Sequence, residues 1–391
     1  MRPAKEDPGR RMRTVLMLVN VSWFFVSHRL QIALGAMGSG FIYHVATRFS
    51  PESDRVRLRS LGIETHDIPF ARGGANPVAD VQSLFAIFTL VRRIRPDLVH
   101  LVTLKAIIFG GIVARLLRVP AVVAAVPGLG YSFVATGPWA SARRSAIEVL
   151  LRLSLRRRNC AVIFQNPEDR DLLIGADVVA ARQAVLIRGA GVDVSAFRPT
   201  EYPPGTVRVV MASRMLREKG VPLFVEAARI LRAAGVNAEF LLAGDPDPDN
   251  PGSILRGDLE RWHATGDVAW LGHVADMSAL FESVHVVCLP THYGEGVPKV
   301  LIEAAAAGRA IVATDVAGCR EIVKHEETGL LVPPRDVDAL VRALRRLIED
   351  RLLRQALGRR ARDLAASSFT SEQVIAATLE VYRQLLGQPS S

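Results

Sequence analysis

Val284-His285-Val286-Val287-Cys288-Leu289-Pro290-Thr291-His292-Tyr293-Gly294-Glu295-Gly296-Val297-Pro298-Lys299-Val300-Leu301-Ile302-Glu303-Ala304-Ala305-Ala306-Ala307-Gly308-Arg309-Ala310-Ile311-Val312-Ala313 reads as one strand, loop, helix, strand unit. The β-branched run 284–289 predicts a buried strand, and 310–313 predicts the next one. Between them, Pro298 suits the first helical position, where its fixed φ costs nothing, and Gly308 suits the helix end, which predicts a helix over 298–307. Gly296, Val297, Pro298 and Lys299 then lie at a helix N-terminus, where unpaired amides and the macrodipole favour a phosphate. Glu295 and Glu303 would both face the same ligand. Carboxylates do not bind phosphate, but they accept hydrogen bonds from sugar hydroxyls. Each acid alone also fits a solvated surface; their coincidence with glycine and proline at a helix start favours a site.

The same alternation extends in both directions. Upstream, strands are expected at 15–19, 42–46, 98–102, 121–126 and 161–164, with helices at 27–37, 78–95, 105–117 and 140–157. The stretch 189–205, with Pro199, Pro203 and Pro204, breaks both periodicities and reads as a linker. A second series follows: strands at 207–212, 239–243, 269–271, 284–289 and 310–313, and helices at 222–234, 298–307, 337–350 and 371–386. Alternating β and α segments give parallel sheets covered by helices. The expected fold class is therefore α/β, two doubly wound Rossmann-like domains facing each other across a cleft, with ligands at the carboxyl ends of the strands. The boundaries expected are 1–13 as a loose leader, 14–198 and 199–370 as the two domains, and 371–391 as a helix packing back on the first domain, its last residues, 388–391, loose.

A second constellation, Ser213-Arg214-Met215-Leu216-Arg217-Glu218-Lys219-Gly220, follows the strand at 207–212 directly. An arginine fork and a lysine point charge in one strand-to-helix loop suit a diphosphate and the charge it develops on leaving. In the first half, Gly128 and Gly130 let backbone approach a ligand or simply make a turn. His28 is a donor or acceptor contact, or else a packed histidine. Asp245, Asp247 and Asp249 invite a metal reading, but Asn250 occupies the glycine position of a calcium loop and Arg256 its final acidic position. With Arg214 and Lys219 supplying positive charge, no metal and no cofactor is expected, and the acidic triplet reads as a polar loop.

Charge divides the chain. Up to Pro199 there are 27 basic and 14 acidic residues, and beyond it 22 and 25. The densest cluster, Arg143, Arg144, Arg152, Arg156, Arg157 and Arg158, is interleaved with Ile147, Val149, Leu150, Leu151, Leu153 and Leu155. That pattern is either a basic amphipathic helix for an anionic membrane surface or a packed helix with a solvated face. No helix-turn-helix, zinc-finger or RNA-binding signature accompanies it, so no nucleic-acid partner is expected. Cys160, Cys288 and Cys319 lie far apart and in no Cys-x-x-Cys pair, which argues against disulfides or zinc and suits a reducing cytoplasm. The apolar run 14–26 is interrupted and too short to span a bilayer, so neither a signal peptide nor a membrane span is expected.

These residues resemble the retaining glycosyltransferases of family four, which have the GT-B fold, over nearly the whole chain. The carriers are Arg214 with Lys219, Glu295 with Glu303, the alanine-rich stretch after them, and Thr328-Gly329-Leu330-Leu331-Val332. Four further segments resemble the bacterial branch acting on polyprenyl-diphosphate-linked sugars: 20–29 around Trp23 and His28, 128–133, Phe164-Gln165-Asn166-Pro167-Glu168-Asp169, and 244–250. The resemblance implies that Arg214 and Lys219 hold the donor diphosphate, Glu295 the donor sugar and Glu303 the ribose. It also implies that Gly272, His273 and Val274 lie near the base. The donor would be a nucleotide-sugar, UDP-linked, and a polyprenyl-diphosphate-linked saccharide would be the acceptor in bacterial polysaccharide assembly, on the cytoplasmic face of the membrane. Trp23, Phe24 and Phe25 stand where many relatives have a glycine-rich loop, and Pro127 near where many place a histidine. The rival enzyme is a sugar-nucleotide epimerase of similar plan; the rival non-enzyme is an inactive partner subunit that binds nucleotide-sugar or lipid. No Gly-x-Gly-x-x-Gly follows the first strand of either half, which argues against a dehydrogenase.

Overall fold

The computed structural model describes residues 11–70, 76–129, 138–292 and 294–387. The first sheet contains β1 (Arg13–Val21), β2 (Phe41–Arg48), β3 (Glu64–Asp67), β4 (Leu98–Val102), β5 (Ala121–Val126), β6 (Cys160–Phe164) and β7 (Ala184–Leu186). All pair in parallel, in the order β3-β2-β1-β4-β5-β6-β7. The second contains β8 (Val207–Ala212), β9 (Ala238–Ala243), β10 (Ala269–Trp270), β11 (Val286–Leu289), β12 (Ala310–Thr314) and β13 (Leu330–Val332). It too is parallel, ordered β10-β9-β8-β11-β12-β13. Strands buried on both faces read as continuous apolar runs. β4, β5, β6, β11 and β12 are buried along their whole length. The two doubly wound domains expected from the alternation are therefore present.

Three of the four edge strands escaped the periodicity, β10 being the exception. β3 (Glu-Thr-His-Asp) is polar, and β7 and β13 have three residues each. Helix Ser53–Ser60 has one buried residue, Leu58, and no apolar stripe to recognise. The single helix expected over 27–37 is two, Ser22–His28 and Leu30–Gly38, broken at Arg29 with φ −129 and ψ −12. The break lets Phe25 and Leu30 both enter the core, and it places Trp23, Phe24 and Phe25 on a helix that starts directly at the end of β1. β1 begins at Arg13, inside the stretch read as leader.

Apolar side chains fill both faces of the first sheet, and the last helix, Ser371–Leu385, joins one of these layers through Val374, Leu379, Val381 and Tyr382. There the Tyr382 hydroxyl lies 2.6 Å from Nδ1 of the buried His100 on β4. The chain crosses between the domains twice, and the crossings pair: Val192 N–H donates to Phe369 O at 3.0 Å, and Ser371 N–H to Val192 O at 2.9 Å. Among the described residues, no helix is long and apolar enough to cross a membrane.

Candidate active site

In each sheet the strand order reverses once, between β1 and β4 and between β8 and β11. Crevices outside such points bind ligands in open parallel sheets. The loops leaving β8 and β11 carry Arg214, Lys219 and Glu295, so both charged constellations converge on one crevice. Close backbone approach is what brings them together. Gly220, with φ +85, lies so near the loop after β11 that a Cβ would sit 2.1 Å from Pro290 O. His292 N–H donates to Glu218 O at 3.0 Å, and the Thr291 hydroxyl oxygen lies 3.1 Å from the same carbonyl.

Across that contact Lys219 Nζ donates to Glu295 Oε2 at 2.5 Å, and the Thr291 hydroxyl donates to Glu295 Oε1 at 2.8 Å. Arg214 Nη1 donates to Asp247 Oδ2 at 2.8 Å, and Lys299 Nζ pairs with Glu303 Oε1 one helical turn on, at 2.5 Å. Three cations thus face three carboxylates. An unpaired charge in a part-buried crevice is costly, and each partner here removes that cost for the other. A phosphate entering the crevice can take Lys219 and Arg214 only by sharing or displacing their carboxylates. A carboxylate released in this way has lone pairs that can accept from hydroxyls.

The helix N-terminus corrects one expectation. Gly296 and Val297 were expected to offer their amides to a phosphate. Instead Gly296 N–H donates to Pro127 O at 2.8 Å and Val297 N–H to Gln165 Oε1 at 3.0 Å, both in the first domain. The helix itself runs Lys299–Ala306, starting just after Pro298. Glycines make this contact possible. A Cβ on Gly128, at φ +125, would sit 2.5 Å from Gly296 N; one on Gly296 would sit 2.0 Å from Gln165 Oε1; one on Gly318 would sit 1.6 Å from Gly296 O. The loop bearing Glu295 is thus held between the two domains, backbone against backbone.

The first domain adds few charges to the crevice. The Trp23 ring lies 5.4 Å beneath the Arg214 guanidinium, and His28 stacks on Phe24 with centroids 4.3 Å apart. Burial, then the charges of Arg29, Lys299 and Lys219, pushes the His28 imidazole down to about 3, so it is neutral at physiological pH and lies within reach of the donor loops. At the switch point, Thr103 after β4 adopts φ +80 and its hydroxyl donates to Asn20 Oδ1 at 2.6 Å. Gly272, at φ +66, accepts from Gly244 N–H at 2.6 Å, and Val274 packs on the second core. Gly130 and Tyr293 lie outside the described residues.

The sequence matches the Glycosyl transferase 4-like family over residues 14–166 and the Glycosyl transferases group 1 family over residues 206–350. The chain is a glycosyltransferase, its first domain matching the 4-like family and its second the group 1 family. It is 28% identical, over 78% of its own length and 82% of the relative's, to the N,N'-diacetylbacillosaminyl-diphospho-undecaprenol alpha-1,3-N-acetylgalactosaminyltransferase of Campylobacter jejuni. It is 26% identical, over 71% and 72%, to the UDP-Gal:alpha-D-GlcNAc-diphosphoundecaprenol alpha-1,3-galactosyltransferase of Escherichia coli. In fold it is similar to the sucrose-phosphate synthase of Thermosynechococcus elongatus, with a TM-score of 0.76 at 21% identity, covering 96% of this chain and 99% of that one.

Several residues of this glycosyltransferase's crevice carried no readable signal in the sequence. Thr291 is a plain loop residue until its hydroxyl meets Glu295. The Pro127 carbonyl is backbone and has no signature. Gln165 stood only in a segment of resemblance, and Asp247 only in an acidic triplet. All four act through contacts with residues distant in sequence or through a turn whose shape the pattern does not specify.

Proposed function

We propose that this glycosyltransferase moves a sugar from a UDP-linked donor to a polyprenyl-diphosphate-linked saccharide, with retention of configuration and without a metal ion. The observation that carries the reading is the Lys219–Glu295 pair at the switch point of the second sheet, with Arg214 in the same loop as Lys219. Lys219 and Arg214 would bind the diphosphate and offset the charge that grows on it as the bond from the anomeric carbon breaks. Glu295 and Thr291 would hold the sugar hydroxyls, and Glu303 the ribose. The acceptor hydroxyl forms the new bond on the face the diphosphate leaves, and its proton passes to the departing phosphate oxygen. The relatives from Campylobacter jejuni and Escherichia coli, whose names specify diphospho-undecaprenol sugars, support the acceptor class.

The same reading gives the first domain a place on an anionic membrane, at the inner face. Helix Pro138–Leu155 exposes Val149, Leu150 and Leu153, and Leu116 at the end of the neighbouring helix is 67% exposed. Arg156 and Arg158 follow just beyond the helix, both exposed. Apolar residues flanked by arginines suit the boundary between headgroups and acyl chains.

The test incubates the protein and Glu295→Ala with UDP-sugars and a polyprenyl-diphosphate-linked acceptor in anionic vesicles, with and without EDTA, following nucleotide release and lipid mass. The expected result is a one-sugar mass gain that survives EDTA, is lost in the variant, and is accompanied by co-sedimentation with anionic but not neutral vesicles. Isomerised nucleotide-sugar, or binding without transfer, would overturn the transferase reading. Loss of activity with EDTA would overturn the metal-free one, and failure to co-sediment the membrane one.

A further inference from the structure

We propose that Asp247 is a positioning residue for sugar transfer: its carboxylate fixes the Arg214 guanidinium against the donor diphosphate at the point where the two domains meet. The inference rests on the reading of Arg214 as a diphosphate ligand. Asp247 is buried, at 7% exposure, whereas the Arg214 side chain is 40% exposed. One N–H of the fork is engaged by the carboxylate at 2.8 Å, and the Trp23 ring of the first domain covers the guanidinium at 5.4 Å. A planar fork with five N–H donors keeps others for a phosphate when one is anchored.

The loop that bears Asp247 is built onto the loop that bears Arg214. Met215 N–H donates to Asp245 O at 3.0 Å, Arg217 N–H to Gly252 O at 2.8 Å, and Ile254 N–H to Met215 O at 2.8 Å. Asp247's own N–H donates to Ser253 Oγ at 2.9 Å, and two residues on Asp249 lies 3.9 Å from Arg48 of the first domain. Two carboxylates of the acidic triplet thereby have partners: Asp247 orients the arginine, and Asp249 faces a cation across the cleft.

The electrostatics predict an unusual signature. A carboxylate beside Arg214 weakens its pull on a bound diphosphate, but a fixed guanidinium needs no reorganisation when negative charge grows on the leaving oxygen. Removing Asp247 should therefore cost rate and not affinity. Wild type, Asp247→Ala, Asp247→Asn and Arg214→Ala would be titrated with UDP and GDP by calorimetry, melted, and assayed for nucleotide release from donor. Asp247→Ala is expected to lower kcat about 10- to 100-fold, the cost of a misplaced catalytic group. Its affinity for the nucleoside diphosphate should hold or tighten. Asp247→Asn, whose amide oxygen still accepts from Arg214, is expected to recover part of the rate, and Asp247→Ala should add little in an Arg214→Ala background. Wild-type kcat in Asp247→Ala, or parallel loss of rate, affinity and melting temperature in both Asp247 variants, would overturn the inference. If wild type binds neither nucleotide, or Arg214→Ala binds as wild type does, the diphosphate reading itself falls and takes this inference with it.

Discussion

The two walls of the cleft are built in opposite ways. The second domain presents Arg214, Lys219, Glu295, Lys299 and Glu303, most of them paired among themselves through loops adjacent in its own sheet. The first domain presents a tryptophan face, a neutral histidine, a backbone carbonyl and a glutamine amide. Chemistry on the charged wall is set by side chains. Its geometry, however, is held from the neutral wall, since Pro127 and Gln165 grip the loop that carries Glu295.

The harshest way to break that division of labour is to separate the walls without touching a charge. Gly296→Val would drive a side chain into Gln165 Oε1 and Pro127 O, which sit 2.0 and 2.6 Å from a single added Cβ. Displacing the Glu295 loop by about 1 Å should cost on the order of 100-fold or more in kcat/KM. Nucleoside-diphosphate binding should fall far less, because Arg214 and Lys219 stand on another loop. Steady-state kinetics beside calorimetry would check this. Equal loss of both would mean that the loop organises the whole site.

A milder change removes one grip. Gln165→Ala leaves the buried Val297 N–H without its acceptor, a penalty of about 1 to 3 kcal/mol for an orphaned donor. If the domains separate to relieve it, the cost appears as a smaller population of the closed state. Turnover should then fall roughly 5- to 160-fold, the rate equivalent of that penalty, with melting of the second domain unchanged. Unchanged kinetics would show that the Pro127 contact alone suffices.

The asymmetry between the walls also explains what the sequence could reveal. Arg214 with Lys219 and Glu295 with Glu303 are close in sequence and follow strong strand signals, so residue type and spacing sufficed to find them. The parallel sheets were legible for the same reason, because strands such as Leu98–Val102 and Ala310–Thr314 are unbroken apolar runs. Gln165 and Trp23 gain their roles from residues 132 and 191 positions away, Val297 and Arg214. Locally they stood only within segments of resemblance, with no residue pattern that assigns them these partners. Helix Ser53–Ser60 and strand Glu64–Asp67 hid because they lie at a sheet edge and bury too little to impose a pattern.

The smallest effect concerns acid. His28 is held down to about 3 by burial and then by neighbouring cations, and His100 is pushed well below 6.5 by burial, then by Arg29. Both take up a proton in the unfolded chain near pH 6.5 but resist it when folded. The unfolded state therefore binds more protons as pH falls, and stability should drop from about pH 7 downward, by at most about 1.4 kcal/mol per pH unit for each fully responsive histidine. Asp169 works in the other direction: burial raises it to about 6, so between that value and its unfolded 3.8 the folded state is the one that gains a proton. His44, His66, His285 and His292 are lowered by burial too, so six histidines against this aspartate leave a net loss toward pH 5. His100→Gln, which removes the histidine beneath the Tyr382 hydroxyl, should flatten the dependence of melting temperature on pH between 7.5 and 5. An unchanged slope would show that His100 binds its proton alike in the folded and unfolded chain, and a steeper one that it is protonated when folded, with Tyr382 turned to accept from it.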